Sequence, residues 1–202
     1  MIEKMAVFGD VHGRSDMLKG LHKKIKHFYG DIPLKSCGDL VDRGPDSAGV
    51  IQYCIDEDID VVIGNHDDWL RRLCVDLEFE PFAMTPIMGG IKTAESYGAV
   101  LAGSETHDNA EIGYELYSVI PQAHKEWLAA QPLYRKFTLS TGEIYWILHA
   151  GVTNGAAHSF YDQSVDDEGI MSHFIKYRRA RDLLLWARPK FPYFNKKGRI
   201  KR

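Results

Sequence analysis

The 202-residue sequence predicts an α/β domain built on parallel strands, and three observations carry that reading. Short apolar runs of strand length occur at Met5–Phe8, Leu34–Cys37, Val61–Ile63 and Ile144–Leu148. Each leads directly into a polar, glycine-containing motif: Gly9-Asp10-Val11-His12-Gly13, Gly38-Asp39-Leu40-Val41-Asp42-Arg43-Gly44, Gly64-Asn65-His66-Asp67 and His149-Ala150-Gly151. The first three motifs then run into stretches of helical periodicity. Strands alternating with helices at these lengths imply βαβ units, and such sheets carry their sites beyond the carboxyl ends of the strands. The four motifs sit where that rule puts a site.

The elements follow in order. Leu18, Leu21, Ile25 and Phe28 recur at helical spacing, with Ser15 and Asp16 placed as N-terminal caps. Pro45 opens a second helical stretch carrying Val50, Ile51, Cys54 and Ile55, which ends in Asp56-Glu57-Asp58. A third helix is expected from Trp69 to Leu77. Between residues 78 and 113 the periodicity fades and Pro81, Pro86, Gly89, Gly90, Gly98 and Gly103 interrupt the chain, which reads as an inserted, partly helical cap or loop bordering the site. Pro121 to Ala130 has the pattern of a short helix. Leu133–Leu139 pairs with Glu143–Leu148 across the Ser140-Thr141-Gly142 turn. Val152 to His173 reads as loop, and a last helix, about Lys176 to Trp186, stops before Pro189. No solenoid-period repeat and no low-complexity tract occurs.

Composition narrows the function classes. A chain of this length with 45% hydrophobic residues suits one domain, 1–202, with a core of its own. No apolar stretch has the length to cross a bilayer, and Met1-Ile2-Glu3-Lys4 leads straight into a strand, so the expectation is a cytoplasmic protein that does not act at a membrane. Cys37, Cys54 and Cys74 are odd in number, lie in or beside apolar runs and form no CxxC pair, which argues against a disulfide scaffold or a zinc knuckle. The net charge of −3 conceals an asymmetry, because Lys and Arg crowd from Phe174 to Arg202 against the single acid Asp182. The terminal run Lys196-Lys197-Gly198-Arg199-Ile200-Lys201-Arg202 is short and poor in aromatic residues. It reads as a solvated segment, and nucleic acid is not the expected partner.

The motif residues suit two-metal phosphoryl-transfer chemistry. Asp10 and His12, two apart on a chain leaving a strand, can turn toward one cation, and the two carboxylate oxygens of Asp39 can bridge it to a second. Asn65 and His149 offer an amide oxygen and an imidazole nitrogen to that second ion. A mixed oxygen and nitrogen set without thiolates fits manganese, iron or zinc better than calcium. Two divalent ions outweigh the carboxylates, leave the site net positive for a phosphate ester and acidify a shared water. His66 beside Asn65 is the expected general acid, oriented by Asp42, and Arg43 can fork onto phosphate oxygens. Arg188 is a second candidate clamp, with a structural salt bridge as the competing reading. His22, His27 and His124 read as surface or packing residues, and His107, His158 and His173 stay open.

These motifs resemble the calcineurin-like metallophosphoesterases, and within them the phosphoprotein phosphatase branch that includes bacterial and phage serine/threonine phosphatases. Gly9–Gly13 and Gly38–Gly44 carry the branch-level match, and weaker similarity continues through Met88–Thr93, Ser96-Tyr97-Gly98, Gln131–Tyr134 and the Leu-Trp-x-Arg segment ending at Arg188. The resemblance implies a sandwich of two mixed sheets flanked by helices. It implies Asp10, His12 and Asp39 on one metal, with Asp39, Asn65 and His149 on the other. It also implies His66 with Asp42 as the acid pair, and Arg43 and Arg188 on phosphate. Two features depart from the family. Its third motif more often ends in Glu where Asp67 stands, and its Gly-His-Thr motif, whose His completes the second metal, does not occur in these 202 residues, so a truncated domain is expected.

The functional expectation is a phosphomonoesterase loaded with two divalent ions, manganese first, acting on phosphoserine or phosphothreonine in a protein or on a small phosphoester. The same branch supports symmetrical cleavage of diadenosine tetraphosphate. A member that binds phosphorylated partners without turnover is a third reading, motivated by the absent ligand.

Overall fold

The structure, a computed structural model, describes residues 3–100, 109–150, 182 and 184–186. The chain divides into two compact units, residues 1–149 and 150–202. In the second unit the Ala150 N–H donates to the Leu184 carbonyl at 3.0 Å, and Leu184 and Leu185 are buried. Arg188, His158, His173 and the terminal basic run lie outside the described residues, as do His107 and most of the expected last helix.

The first unit is α/β. Strands β1 (Ala6–Phe8), β2 (Leu34–Ser36) and β3 (Asp60–Val61) form a parallel sheet in the order β1-β2-β3, with Ala6 opposite Leu34 and Lys35 opposite Asp60. The second sheet is the antiparallel hairpin of β4 (Tyr134–Thr138) and β5 (Ile144–Leu148), the pairing read from the sequence, with Tyr134 opposite Leu148. Beyond the third strand the Ile63 N–H donates to the Pro132 carbonyl at 2.8 Å, which ties the hairpin's entry to the parallel sheet. Phe8, Leu34, Val50, Ile51, Cys54, Val61, Trp69 and Leu70 are among the residues that close the core. The three cysteines are free, Cys54 fully buried and Cys37 and Cys74 half-buried.

Helices α1 and α2 begin just after the first two motifs, and α3 begins inside the third. Helix α1 (Ser15–Tyr29) buries Leu18 and stops at Gly30, whose left-handed backbone lets its N–H reach the Lys26 carbonyl. The expected caps are displaced by one position. Arg14 is the N-cap and makes no side-chain cap bond, Asp16 instead pairs with the Arg14 guanidinium, and the Ser15 hydroxyl donates to Asp46. Asp46 caps α2 (Ser47–Asp56) by accepting from the Gly49 N–H at 2.9 Å, directly after Pro45. Helix α3 (Asn65–Asp76) starts four residues before the first apolar position, Trp69, because Asp67 closes a capping box on Gly64.

The described part of residues 78–113 is more structured than its composition suggests. It holds a 3₁₀ turn (Pro81–Met84), helix α4 (Gly90–Ser96) and the start of α5 (Asn109–Val119), which is followed by α6 (Gln122–Ala130). Helix α4 packs on α2, and the Ser96 hydroxyl accepts from the Ala48 N–H. His22 and His124 are packing residues, as read from the sequence. His22 bonds the Tyr53 hydroxyl at 2.8 Å, and His124 uses both ring nitrogens, on the Tyr97 hydroxyl and the Gln52 amide oxygen.

Two glycines with positive φ separate steric fit from backbone freedom. A Cβ on Gly38 would fall 2.7 Å from the Gly64 Cα and 2.9 Å from the Val62 carbonyl oxygen, whereas one on Gly98 meets nothing within 4 Å. Gly98→Ala should therefore cost only the left-handed penalty of about 1–2 kcal/mol. Gly38→Ala should cost at least about 2 kcal/mol more, since two backbones must separate. Urea unfolding of the two variants measures the difference, and equal midpoints would contradict it.

Candidate metal and phosphate site

The site is made by three loops that leave the carboxyl ends of β1, β2 and β3, joined by the residue after β5. The first two loops continue the strand pairing past the sheet. Asp10 N–H donates to the Gly38 carbonyl at 3.2 Å, His12 N–H to Asp39 at 2.9 Å and Gly13 N–H to Leu40 at 2.7 Å. This ladder sets the side chains of Asp10 and His12 beside that of Asp39. Seven non-glycine residues among those described have positive φ, and five of them are Asp10, His12, Asp39, Asp42 and Arg43. Backbone strain is thus concentrated on the candidate site residues, and it persists because the neighbouring loops hold it.

Asp67 supplies that restraint. Its buried carboxylate accepts the N–H groups of Asp39 (2.8 Å) and Gly64 (2.9 Å) on one oxygen and those of Leu40 (2.8 Å) and Val41 (3.3 Å) on the other. Burial, with the charge of Asp39 added, pushes the Asp67 carboxyl up to about 6, and the backbone N–H bonds oppose that rise and favour the carboxylate. The sequence signal was the fourth residue of the third motif, which sequence reasoning treated only as a departure from Glu. A carboxylate one methylene longer has to approach the same N–H groups from farther back.

The imidazoles are oriented by acceptors. His12 Nδ1 lies 2.9 Å from the Val41 carbonyl, and His149 Nδ1 lies 2.9 Å from the Cys37 carbonyl. A carbonyl only accepts, so both rings carry the proton on Nδ1 and turn a lone pair on Nε2 into the site. Burial lowers the His12 imidazole below its ordinary range, against the pull of the Val41 carbonyl and Asp39, and favours the neutral ligand form. Burial and nearby Asp10 raise the Cys37 thiol, which disfavours a thiolate beside the site.

Asp39 stands between the two histidines. Its Oδ2 is 3.8 Å from His12 Nε2 and its Oδ1 is 3.5 Å from His149 Nε2. Two groups of donor atoms result, His12–Asp39–His66 and Asp10–Asp39–His149, with Asp39 common to both. In the second group Asp10 lies beside His149. Asn65 joins the second group, its Oδ1 lying 3.0 Å from His149 Nε2. Two atoms that both present lone pairs at that separation match neighbouring ligands on one ion, for which bonds of about 2.1 Å put ligand atoms about 3.0–3.4 Å apart. The donor set of carboxylates, amide oxygen and imidazole nitrogens fits a pair of divalent transition ions.

The proposed acid pair is buried behind this centre. His66 Nδ1 donates to Asp42 Oδ2 at 2.7 Å, and the Trp69 indole N–H donates to the same oxygen at 2.8 Å. The exposed Arg43 guanidinium reaches across, Nη1 to His12 Nε2 at 2.7 Å and Nη2 to His66 Nε2 at 2.9 Å. Its two N–H groups are thereby presented toward the donor groups in the parallel arrangement that suits two phosphate oxygens.

Two variants test this centre. Asp39→Asn should retain fewer divalent ions than the parent chain after gel filtration, read by elemental analysis. Asp67→Asn should lower stability by about 3 kcal/mol, because the amide's N–H₂ must face backbone N–H donors. Urea unfolding reads that loss, and Asp67→Glu should recover part of it.

The geometry can be set beside known proteins. The aligned part of a "Bis(5'-nucleosyl)-tetraphosphatase, symmetrical" of Neisseria gonorrhoeae is 41% identical over 64 residues, covering 31% of this chain and 23% of that protein. The protein of the same name from Cellvibrio japonicus is 31% identical over 112 residues, covering 54% and 42%. The chain therefore spans less than half the length of these curated relatives. The solved structure of a protein serine/threonine phosphatase from Saccharomyces cerevisiae aligns at 17% identity over 91% of this chain and 48% of that one, with a TM-score of 0.41. The family model for calcineurin-like phosphoesterases matches residues 3–198, which includes all four motifs, and this chain belongs to that family.

Proposed function

We propose that the chain is a metal-dependent phosphoester hydrolase whose substrate is a dinucleoside polyphosphate cleaved symmetrically. The observation that carries the hydrolase reading is Asp39 with one carboxylate oxygen toward His12 and the other toward His149, adjacent to the buried His66–Asp42 pair. When bound, a pair of divalent ions supplies Lewis acidity and an acidified water. Asp10, His12, Asp39, Asn65 and His149 would hold it. The protein's own groups do the rest.

Arg43 forks onto the phosphate, and turning its N–H groups to phosphate oxygens releases His66 Nε2. Once released, His66 Nε2 takes up a proton from solvent and delivers it to the departing oxygen, while Asp42, on Nδ1, stabilises the imidazolium that donates it. Trp69 shares Asp42 Oδ2 and keeps that oxygen from turning away. Arg188 as a second phosphate clamp remains part of the proposal.

Substrate choice rests on the curated relatives, which favour the tetraphosphate over the phosphoprotein first expected from the motifs. One substrate presents an internal phosphoanhydride and the other a terminal phosphomonoester, and a pair of metal ions can support attack of water on either phosphorus, so Asp10 to His149 do not by themselves distinguish them. The test is product analysis with manganese present. Diadenosine tetraphosphate should give ADP alone, with little release of phosphate from a phosphothreonine peptide. Unequal cleavage to AMP and ATP, or a preference for the peptide, would overturn the substrate assignment. His66→Gln should lower kcat by about 10²–10⁴-fold with little change in metal content.

A further inference from the structure

We propose that Thr93, on helix α4, is a positioning residue for the proton-donating pair, setting how well the site expels poor leaving groups. The inference rests on the hydrolase reading above and extends it to a residue outside the four motifs. Asp42 has no solvent exposure, so each lone pair of its carboxylate depends on protein donors. Oδ2 is supplied by His66 and Trp69. Oδ1 accepts from the Thr93 hydroxyl at 2.7 Å.

The same hydroxyl also holds the other end of the residue. Asp42 N–H points to Thr93 Oγ1 at 2.9 Å and to Ser47 Oγ at 3.1 Å, and the two hydroxyls lie 3.0 Å apart. The protons can be assigned. Thr93 has one proton and gives it to Asp42 Oδ1, so Ser47 donates to Thr93, and the Asp42 N–H is shared between them. Thr93 therefore grips Asp42 at both backbone and carboxylate. That grip matters because Asp42 has φ of 74°, a left-handed backbone that a non-glycine residue does not keep unaided. Thr93 itself is fully buried, and α4 is fastened to the same loop at its start, where a Cβ on Gly89 would fall 2.7 Å from the Arg43 nitrogen.

Thr93→Val preserves shape and removes only the hydroxyl. Oδ1 of Asp42 loses its donor, the carboxylate is free to rotate, and the His66 imidazolium is less well held. A leaving group that departs without a proton should not register this, whereas one that needs protonation should. With manganese present, kcat/KM for phenyl phosphate should fall about tenfold or more in Thr93→Val, and that for p-nitrophenyl phosphate by no more than about threefold. Thr93→Ser should restore both to within about threefold of the parent.

Equal losses on both esters, no loss on either, or failure of Thr93→Ser to recover would overturn the proposal in favour of a packing role. A second reading needs no turnover. The low-field proton resonance of His66 Nδ1–H, assigned by its absence in His66→Gln, should shift or broaden in Thr93→Val and be retained in Thr93→Ser. An unchanged resonance in Thr93→Val would likewise overturn it, and Thr93→Ala is read in the same two ways should Thr93→Val fail to fold. A parent chain that hydrolyses no ester would sink the hydrolase reading, while the resonance would still decide for or against Thr93.

Discussion

The four backbone N–H groups gathered on the Asp67 carboxylate are the constraint from which the rest of the centre follows. They come from two loops, one after β2 and one after β3. By binding Asp39, Leu40 and Val41 at their nitrogens, Asp67 fixes the loop that places the Asp39 carboxylate between His12 and His149, and by binding Gly64 it starts α3 with Asn65 and His66 in its first turn. The charge is tolerated in the interior because it is the acceptor of so many bonds. Asp39 can then keep a left-handed backbone that would otherwise relax.

A second tier of buried polar contacts orients side chains rather than backbone. Carbonyls of Val41 and Cys37 choose the tautomers of His12 and His149. Thr93, Trp69 and His66 together donate to both oxygens of the Asp42 carboxylate. In each case an acceptor or donor with a single way to bond leaves the partner a single useful orientation, which is how a site built on loops acquires the precision of one built on regular elements. The cost is that these positions tolerate little change, since each removal strands a buried polar group.

Much of this was legible beforehand for a physical reason. Strand-ending motifs are local, so Asp10, His12, Asp39, Asp42, Arg43, Asn65, His66 and His149 could be named from their spacing, and the parallel alternation of strands and helices explained why they meet. The hairpin of β4 and β5 was readable because two apolar runs flank a turn. What sequence reasoning missed depends on contacts far apart in the chain. Thr93 lies 51 positions from Asp42 in a stretch that reads as an irregular insertion, and Asp67 looks like an ordinary acid near a helix start. The helix α3 was placed too late for the same reason, because its cap bonds involve a carboxylate that the pattern of apolar residues does not mark.

Sequence alone determined the class of chemistry: carboxylates, imidazoles, an amide and an arginine placed just past strands are a donor set for divalent ions and phosphate whatever their fine arrangement. It determined the α/β class as well, since hydrophobic period and motif position are properties of short segments. Only the tertiary structure decided which donors share a neighbourhood, with Asp10 beside His149 and His12 beside His66, and which lone pairs face inward. Those choices depend on hydrogen-bond geometry across loops, and a hydrogen bond between residues dozens of positions apart leaves no periodicity in the chain to read.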